Sequence, residues 1–308
     1  MRKLKIALRC IVHKPSELIA YAFMKCFAFL PDALFLRGLF ILKMGERLNL
    51  KVPKTYNQKL QWLKLNDRIP SHCNMVEKYE AKLLAEKIID KKYIIPTFGV
   101  WDHYEDIDFS KLPDQFVLKA THGCGNRDVI ICKDKTTFDF AKAKKKIEYS
   151  LRHNEVYKNQ REWPYKNLKR RIIAEQYLSD DNVAFLQDYK FYCFNGEPQI
   201  VAVSNDRNSV SVTCFDYYDM SFIHLPFTWG GPNYPNLIKK PKAFEEMIEV
   251  ARKLSHGLIH VRIDLYNING SIYFGEWTFY DSSGFEKFHP KEWDYKFGDM
   301  IKLPIQKK

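Results

Sequence analysis

The sequence predicts an α+β protein, and three features support that class. Short apolar stretches end at glycine-containing turns, as at Asn195-Gly196 and Asn269-Gly270, which is typical of β-hairpins. Residues 242–256 form an amphipathic helical pattern that ends at Gly257, with one apolar stripe of Phe244, Met247, Ile248, Ala251 and Leu254. The 308 residues are 46% hydrophobic and 15% aromatic, which is enough for folded lobes with real cores.

The first 45 residues form the first predicted unit. Residues 1–9 are basic, and residues 18–44 are apolar but interrupted by Lys25, Pro31, Asp32 and Arg37. A membrane-spanning helix needs about 20 mainly apolar residues, so this segment is predicted to form one or two amphipathic helices instead. Such helices either lie in a membrane interface as an anchor or dock on the body of the protein. The segment lacks the small-residue cleavage site of a secretory signal.

The rest of the chain is predicted to form three units: an N-terminal lobe over residues 46–115, a small lobe over 116–185 and a large lobe over 186–308. Residues 45–55 are predicted to be a linker into the first of these. Helices are expected over residues 56–65, 74–89 and 138–153, from their hydrophobic periodicity.

Cysteine usage and charge limit the cellular setting. Seven cysteines, without a Cys-x-x-Cys pair, favour reduced thiols and the cytosolic side over a secreted disulfide scaffold. The net charge of +12 calls for an anionic partner such as a nucleotide, an acidic glycan or an anionic lipid. No nucleic-acid-binding module is recognisable, so nucleic acid is not predicted as a partner.

A lysine followed by a glycine-containing loop is the first candidate for a phosphate site. Residues 116–119 read as a buried strand that ends in Lys119, and a strand over 129–132 follows the loop of residues 121–126. Gly123 and Gly125 let backbone N–H groups approach phosphate oxygens, and the lysine adds positive charge. The loop does not run into a helix as a Rossmann fingerprint would, so a plain turn is the alternative.

A second lysine stands inside a strand. Residues 188–194 are predicted to form a strand that leads into the Asn195-Gly196 turn, and residues 199–203 are predicted to form the returning strand. Because side chains alternate between the two faces of a strand, Asp188, Lys190 and Tyr192 are expected on one face. The alternative explanation is a lysine that extends its ammonium group into water at a sheet edge.

Two carboxylates inside an apolar hairpin over residues 260–279 predict a metal site. A three-residue loop of Ile268, Asn269 and Gly270 would pair Asn267 with Ser271 and place Arg262 opposite Glu276. One face would then carry His260, Arg262, Asp264, Glu276 and Thr278, and the other Val261, Ile263, Leu265, Tyr273 and Trp277. A two-residue turn would separate the carboxylates. A structural ion pair of Arg262 with Asp264 or Glu276 is the alternative.

In this combination and order, these elements resemble the ATP-grasp superfamily, and specifically its teichuronopeptide-biosynthesis (TupA-like) branch. The resemblance runs over about residues 56–303. It rests on six short sequence motifs: Lys59-Leu-Gln-Trp-Leu-Lys64, Phe116-Val-Leu-Lys-Ala-Thr-His-Gly123, Arg161-Glu-Trp-Pro-Tyr165, Arg171-Ile-Ile-Ala-Glu175, Asp188-Tyr-Lys-Phe191 and Phe274-Gly-Glu-Trp-Thr-Phe279.

The resemblance implies a role for each matched residue. Lys119 and Lys190 would bind the nucleotide phosphates, and residues 123–126, with Gly123 and Gly125, would form the flap over them. Glu175 through Leu178 would form the adenine hinge, Asp188 would lie near the ribose, and Asp264 and Glu276 would bind magnesium. Thr278 replaces the asparagine that many members use as a third ligand, and magnesium bound by two carboxylates retains water ligands instead.

The resemblance also implies ATP and Mg²⁺ as cofactors and an ATP-dependent carboxylate–amine ligation through an acylphosphate, with Arg262 and Lys190 as catalytic residues. Expected substrates are an acidic glycan or lipid-linked saccharide and an amine or amino acid, as in cell-envelope or capsule polysaccharide synthesis. The expected location is the cytoplasm, at the inner face of an anionic membrane. The alternatives are a glycan kinase, a glycosyltransferase that uses acidic residues such as Asp180-Asp181, and a non-enzymatic membrane adaptor.

Overall fold

The computed structural model of the protein describes residues 15–123, 129–153, 155–179, 187–205 and 214–304. Several residues singled out above lie outside these ranges, namely Gly125 and Asn126 of the predicted flap and the pair Asp180-Asp181. Within the described residues the chain forms two antiparallel sheets with helices around them, in agreement with the predicted α+β class.

The N-terminal apolar segment forms a pair of helices. Helix α1 spans Pro15–Cys26 and helix α2 spans Asp32–Met44, with the break at Pro31. Their buried residues, including Phe35 and Leu39, form a small core that also contains Phe285 from the C-terminal region. The pair therefore docks on the body of the protein. No helix among the described residues is long and apolar enough to cross a membrane.

Three helices follow: α3 (Tyr56–Asn66), α4 (Ser71–Val76) and α5 (Lys78–Ala85). The single helix predicted over residues 74–89 is wrong, because Glu77 adopts an extended conformation between α4 and α5. Its carboxylate accepts hydrogen bonds from the N–H groups of Tyr79 and Glu80, at 3.0 and 2.7 Å, and so caps α5.

A four-stranded sheet comes next, with strand order β1-β4-β2-β3. Its strands are β1 (Thr97–Trp101), β2 (Phe116–Ala120), β3 (Val129–Cys132) and β4 (Ile172–Gln176). Helices α6 (Phe140–Arg152) and α7 (Glu155–Gln160) lie between β3 and β4 in the chain, and α6 packs on β2. The predictions of β2, β3 and α6 are confirmed, whereas β1 was not predicted.

The second sheet has five strands in the order β7-β6-β5-β8-β9. They are β5 (Asp188–Phe194), β6 (Glu197–Asn205), β7 (Cys214–Asp219), β8 (His260–Ile268) and β9 (Ser271–Thr278). Helix α8 (Phe244–Ser255) covers one face with the predicted stripe, of which all but the half-buried Ile248 is fully buried. Helix α9 (Glu292–Met300) packs against α3. Within the described ranges, short 3₁₀ turns lie at Lys91–Tyr93, Tyr104–Asp106, Phe109–Lys111, Trp163–Tyr165 and Asp281–Gly284.

Candidate active site

The polar face of the five-stranded sheet brings together most of the residues predicted for the large lobe. Strands β5 and β8 pair so that Lys190 lies opposite Asp264 and Tyr192 lies opposite Arg262. Strands β8 and β9 pair Asp264 with Glu276. The hairpin of β5 and β6 turns at Asn195-Gly196, as predicted.

The turn of the β8–β9 hairpin differs from the prediction. Ile268 pairs with Ser271, so the turn contains two residues, Asn269 and Gly270, both with positive φ (54° and 95°). The predicted three-residue loop is therefore wrong, and so is the pairing of Arg262 with Glu276, since Arg262 lies opposite Thr278.

The two carboxylates nevertheless share a face, because the ladder shifts by one residue. Asp264 pairs with Glu276 and Leu265 pairs with Phe274, which leaves Gly275 as the extra residue of a β-bulge. The bulge compensates for the shorter turn. It also places Phe274, which is 1% exposed, in the core, whereas Tyr273 pairs with Tyr266 on the carboxylate face. The prediction of Tyr273 as a core-facing residue is wrong.

Asp264 is the centre of a buried charge cluster. Arg262 donates from Nε to Oδ1 at 2.6 Å and from Nη2 to Oδ2 at 2.8 Å, and Lys190 Nζ donates to Oδ2 at 2.5 Å. Burial alone would raise the pKa of the Asp264 carboxyl, but the charges of Arg262 and Lys190 outweigh it and lower that pKa to about 2. Asp264 is therefore an anion at neutral pH.

The Arg262 guanidinium is fixed on its other side by a residue that the sequence did not reveal. Its Nη1 lies 2.6 Å from Oδ1 of Asp281, and its Nη2 donates to Thr278 Oγ1 at 3.1 Å. Asp281 in turn accepts a hydrogen bond from the Tyr192 hydroxyl. With carboxylates on both sides, Arg262 is a fixed cation in the floor of the site, and no rearrangement is needed to orient it.

Lys190 bridges two carboxylates. Its Nζ lies 2.7 Å from Asp188 Oδ2, in addition to its contact with Asp264, and all three side chains are buried. The three predicted residues thus lie together, and the buried lysine is neutralised by both neighbours, unlike a lysine that reaches into water at a sheet edge.

The four-stranded sheet contributes a second charge cluster. Lys119 on β2 forms an ion pair with Oε2 of Glu175 on β4, and Lys82 on α5 lies 2.6 Å from Oε1 of the same carboxylate. Burial raises the pKa of Glu175, but the charges of Lys119 and Lys82 outweigh this effect and lower it to about 2. Leu178, half-buried, lies two residues after the end of β4. The Glu175 side chain thus orients a predicted phosphate-binding lysine, which leaves the backbone groups of this residue for a base.

Lys78, at the start of α5, connects the two sheets. Its Nζ donates to the carbonyl oxygen of Gly123 at 2.6 Å and lies 3.7 Å from Oε2 of Glu276. Its backbone N–H donates to the Thr121 carbonyl at 2.9 Å. Lys78 was not predicted as a site residue, because the hydrophobic pattern predicts one continuous helix over residues 74–89. The capping glutamate immediately before Lys78 was the available signal.

The donor set fits magnesium. Asp264 and Glu276 place hard carboxylate oxygens on one face. The Glu276 side chain is 38% exposed and so accessible, whereas the Asp264 oxygens also accept from Arg262 and Lys190 and would share their lone pairs with a metal. Among the residues described, no cluster of three or more His, Cys, Asp or Glu side chains forms a complete metal site. Two carboxylates leave coordination positions for water and phosphate oxygens, which is the usual arrangement for magnesium with nucleotides.

The fold and the site are those of the ATP-grasp class. Residues 58–302 match the family described as TupA-like ATP-grasp, and the chain belongs to that family. No curated protein sequence matches the chain significantly.

Solved structures similar to this chain include two D-alanine–D-alanine ligases. The enzyme from Bacillus anthracis, in complex with ATP, has 14% identity and a TM-score of 0.41, over 74% of this chain and 63% of that one. The Helicobacter pylori enzyme has 14% identity and a TM-score of 0.42, over 82% and 68%. The ADP complex of PurK, an N5-carboxyaminoimidazole ribonucleotide synthetase, has 14% identity and a TM-score of 0.44, over 72% and 50%. This chain therefore spans between half and about two thirds of the length of these structures.

Proposed function

We propose that the protein is an ATP-dependent carboxylate–amine ligase, which forms an amide through an acylphosphate. The main support is the arrangement around Asp264: an ionised carboxylate opposite an accessible Glu276, with fixed cations from β5, β8 and α5 nearby. Such a site neutralises and positions anions.

In this proposal the two sheets hold ATP between them. Lys119 and Lys190 bind its phosphates, the segment from Gly123 covers them, and the backbone of residues 175–178 holds the adenine. Asp188 acts near the ribose through its contact with Lys190. Asp264 and Glu276 would hold Mg²⁺, which supplies charge neutralisation for the β- and γ-phosphates.

The reaction then needs no side-chain nucleophile. A substrate carboxylate oxygen attacks the γ-phosphorus, the bond to ADP breaks, and an acylphosphate forms. The amine attacks the acyl carbon, phosphate leaves with the former carboxylate oxygen, and the nitrogen loses a proton. Arg262, held by Asp264 and Asp281, and the more exposed Lys78 stabilise charge on the transferred phosphoryl group.

We infer that the acid is a uronic acid or similar group of a surface glycan or its lipid-linked precursor, and that the amine is an amino acid or another small amine. The net charge of +12 favours an acidic polymeric substrate, and the resemblance to the teichuronopeptide branch favours an envelope or capsule polysaccharide. ATP as the energy source favours action in the cytoplasm.

The proposal is tested first by calorimetric titration of ATP with and without Mg²⁺ into wild type, Asp264→Asn and the exposed control Asp299→Asn. We expect magnesium-dependent binding in wild type and the control, weakened at least about tenfold in Asp264→Asn. Absence of ATP binding in wild type would refute the proposal.

The second test measures products. Glucuronate-containing oligosaccharides and a panel of amino acids are incubated with ATP, and ADP, free phosphate and amide are quantified. A ligase releases ADP and phosphate only when both substrates are present. A stable phosphorylated glycan formed without an amine would instead identify a kinase.

A further inference from the structure

The hairpin of α1 and α2 displays an unusual amount of apolar surface. Its large side chains that remain exposed include the most exposed phenylalanine of the described chain, Phe29, at 78%. The full set on this hairpin is Leu18, Ile19, Tyr21, Phe27, Phe29, Leu34 and Ile41. Scattered exposed apolar residues are normal, but a concentration within two adjacent helices marks an interaction surface.

An aromatic series leads from the core of the hairpin to its tip. Phe23 contacts the fully buried Phe35, with ring centroids 5.4 Å apart, and stacks on Phe27 at 5.0 Å. Phe27 in turn contacts Phe29 at 6.2 Å. The exposed Phe29 ring therefore packs on a series of rings that begins in the core of the hairpin.

The tip is also anchored by a buried cation. The Arg161 guanidinium lies over the Phe35 ring at 4.1 Å, and its Nη2 donates to the carbonyl oxygens of Ala28 at 2.5 Å and Leu30 at 3.4 Å. These are the residues on either side of Phe29. Since the body of the protein fixes the backbone there, Phe29 is held outward by the fold.

The charge of this region indicates what covers the surface. Its two acidic residues are paired, Glu17 with Lys43 at 2.8 Å and Asp32 with Arg68 at 2.6 Å. Arg37 is exposed between Leu34 and Ile41 on the outward stripe of α2. The sequence of residues 1–14, which lies outside the described residues, adds Arg2, Lys3, Lys5, Arg9 and Lys14 and no acidic residue.

We propose that this hairpin docks the protein on an anionic lipid bilayer, with Phe27 and Phe29 inserted among the lipids and the basic residues on the headgroups. Exposed aromatic and aliphatic side chains with adjacent basic residues are the pattern of interfacial membrane binding. A second copy of the chain would bring the same positive charge to the surface and is disfavoured. This proposal does not depend on the reaction that the active site performs.

The test is co-sedimentation of the full chain with vesicles of phosphatidylcholine alone or mixed with phosphatidylglycerol. Wild type is compared with the double variant Phe27→Ser/Phe29→Ser and with Leu237→Ser, which removes an equally exposed apolar side chain, at 77%, far along the chain. We expect binding to the mixed vesicles only, reduced by salt, about tenfold weaker in the double variant and unchanged in the control.

Three outcomes would overturn the proposal: no binding of wild type to either vesicle, equal binding of the double variant, or a wild-type dimer in light scattering that the double variant abolishes. Circular dichroism and ATP titration of each variant separate loss of docking from loss of folding. Because both substituted phenylalanines are exposed, the variant is expected to fold.

Discussion

Asp264 and Glu276 face each other across the β8–β9 pair because Gly275 adds one residue to β9 between them and the turn. With the two-residue turn and a regular ladder, the carboxylates would lie on opposite faces of the sheet. The extra residue must be small: a Cβ at Gly275 would lie 3.0 Å from the Asp264 carbonyl oxygen and 3.4 Å from the Tyr266 ring. The proposed metal site therefore depends on a backbone irregularity as well as on its two ligands.

We predict that Gly275→Val weakens magnesium-dependent ATP binding by about tenfold or more, because the added side chain pushes β9 away from Asp264. The free energy of unfolding should fall by about 1–3 kcal/mol. Calorimetry and urea unfolding measure both effects. Ser271→Val, at an exposed position of the same strand, is the control, and a Gly275→Val protein with unchanged ATP affinity would show that the bulge does not set the site.

The residues that could be predicted from the sequence are those whose local pattern determines their face. Strand alternation places Asp188, Lys190 and Tyr192 together regardless of distant contacts, and the Asn195-Gly196 turn fixes that hairpin. The β8–β9 register could not be predicted in this way. The shorter turn and the bulge each shift the register by one residue, in opposite directions, and the pattern of the two strands reveals neither shift. Strand β1 was missed because Gly99 and the preceding proline disfavour a strand locally, while pairing with β4 stabilises it.

Contacts between distant segments could not be predicted from the sequence either. Asp281 lies in a turn after β9, and nothing local links it to Arg262. Lys78 and Glu276 are far apart in the sequence and meet because α5 packs against β9. The strand residues of the site could thus be predicted from the sequence, whereas Asp281 and Lys78, which contact them from distant segments, could not.

We predict that Lys78→Met lowers kcat by about 100-fold, the usual effect of removing one preorganised charge donor, with a smaller change in the KM for ATP. The reason is that Lys78 lies at the Gly123 carbonyl and near Glu276, where charge on the transferred phosphoryl group would develop. Steady-state ADP release measures both constants. Lys91→Met removes a lysine that is 84% exposed and should leave both unchanged; a Lys78→Met enzyme with wild-type kcat would remove Lys78 from the mechanism.

Glu175 should contribute to stability in a pH-dependent manner. Its pKa is lowered from 4.5 to about 2 in the folded protein, so its contribution is complete above about pH 4.5 and is lost as the pH falls toward 2. The shift corresponds to about 3 kcal/mol at pH 7. We predict that Glu175→Gln lowers the free energy of unfolding by at least that amount at pH 7, and that the difference from wild type shrinks at pH 3. The exposed Glu292→Gln is the control, and a difference independent of pH would contradict the prediction.

Lys64 should also make stability depend on pH, but in the alkaline range. It is fully buried on α3, where its Nζ donates to the Ser283 carbonyl at 2.7 Å and to the Gln160 carbonyl at 2.9 Å, and burial lowers its pKa from 10.5 to about 7. Between these values the unfolded chain holds a proton that the folded protein has released, so stability from this group rises with pH, by at most about 1.4 kcal/mol per pH unit. We predict that Lys64→Met removes this rise from urea unfolding curves measured between pH 7.5 and 9.5, whereas Lys287→Met, at an exposed position, retains it. An identical pH slope in wild type and Lys64→Met would show that Lys64 keeps its proton in the folded protein.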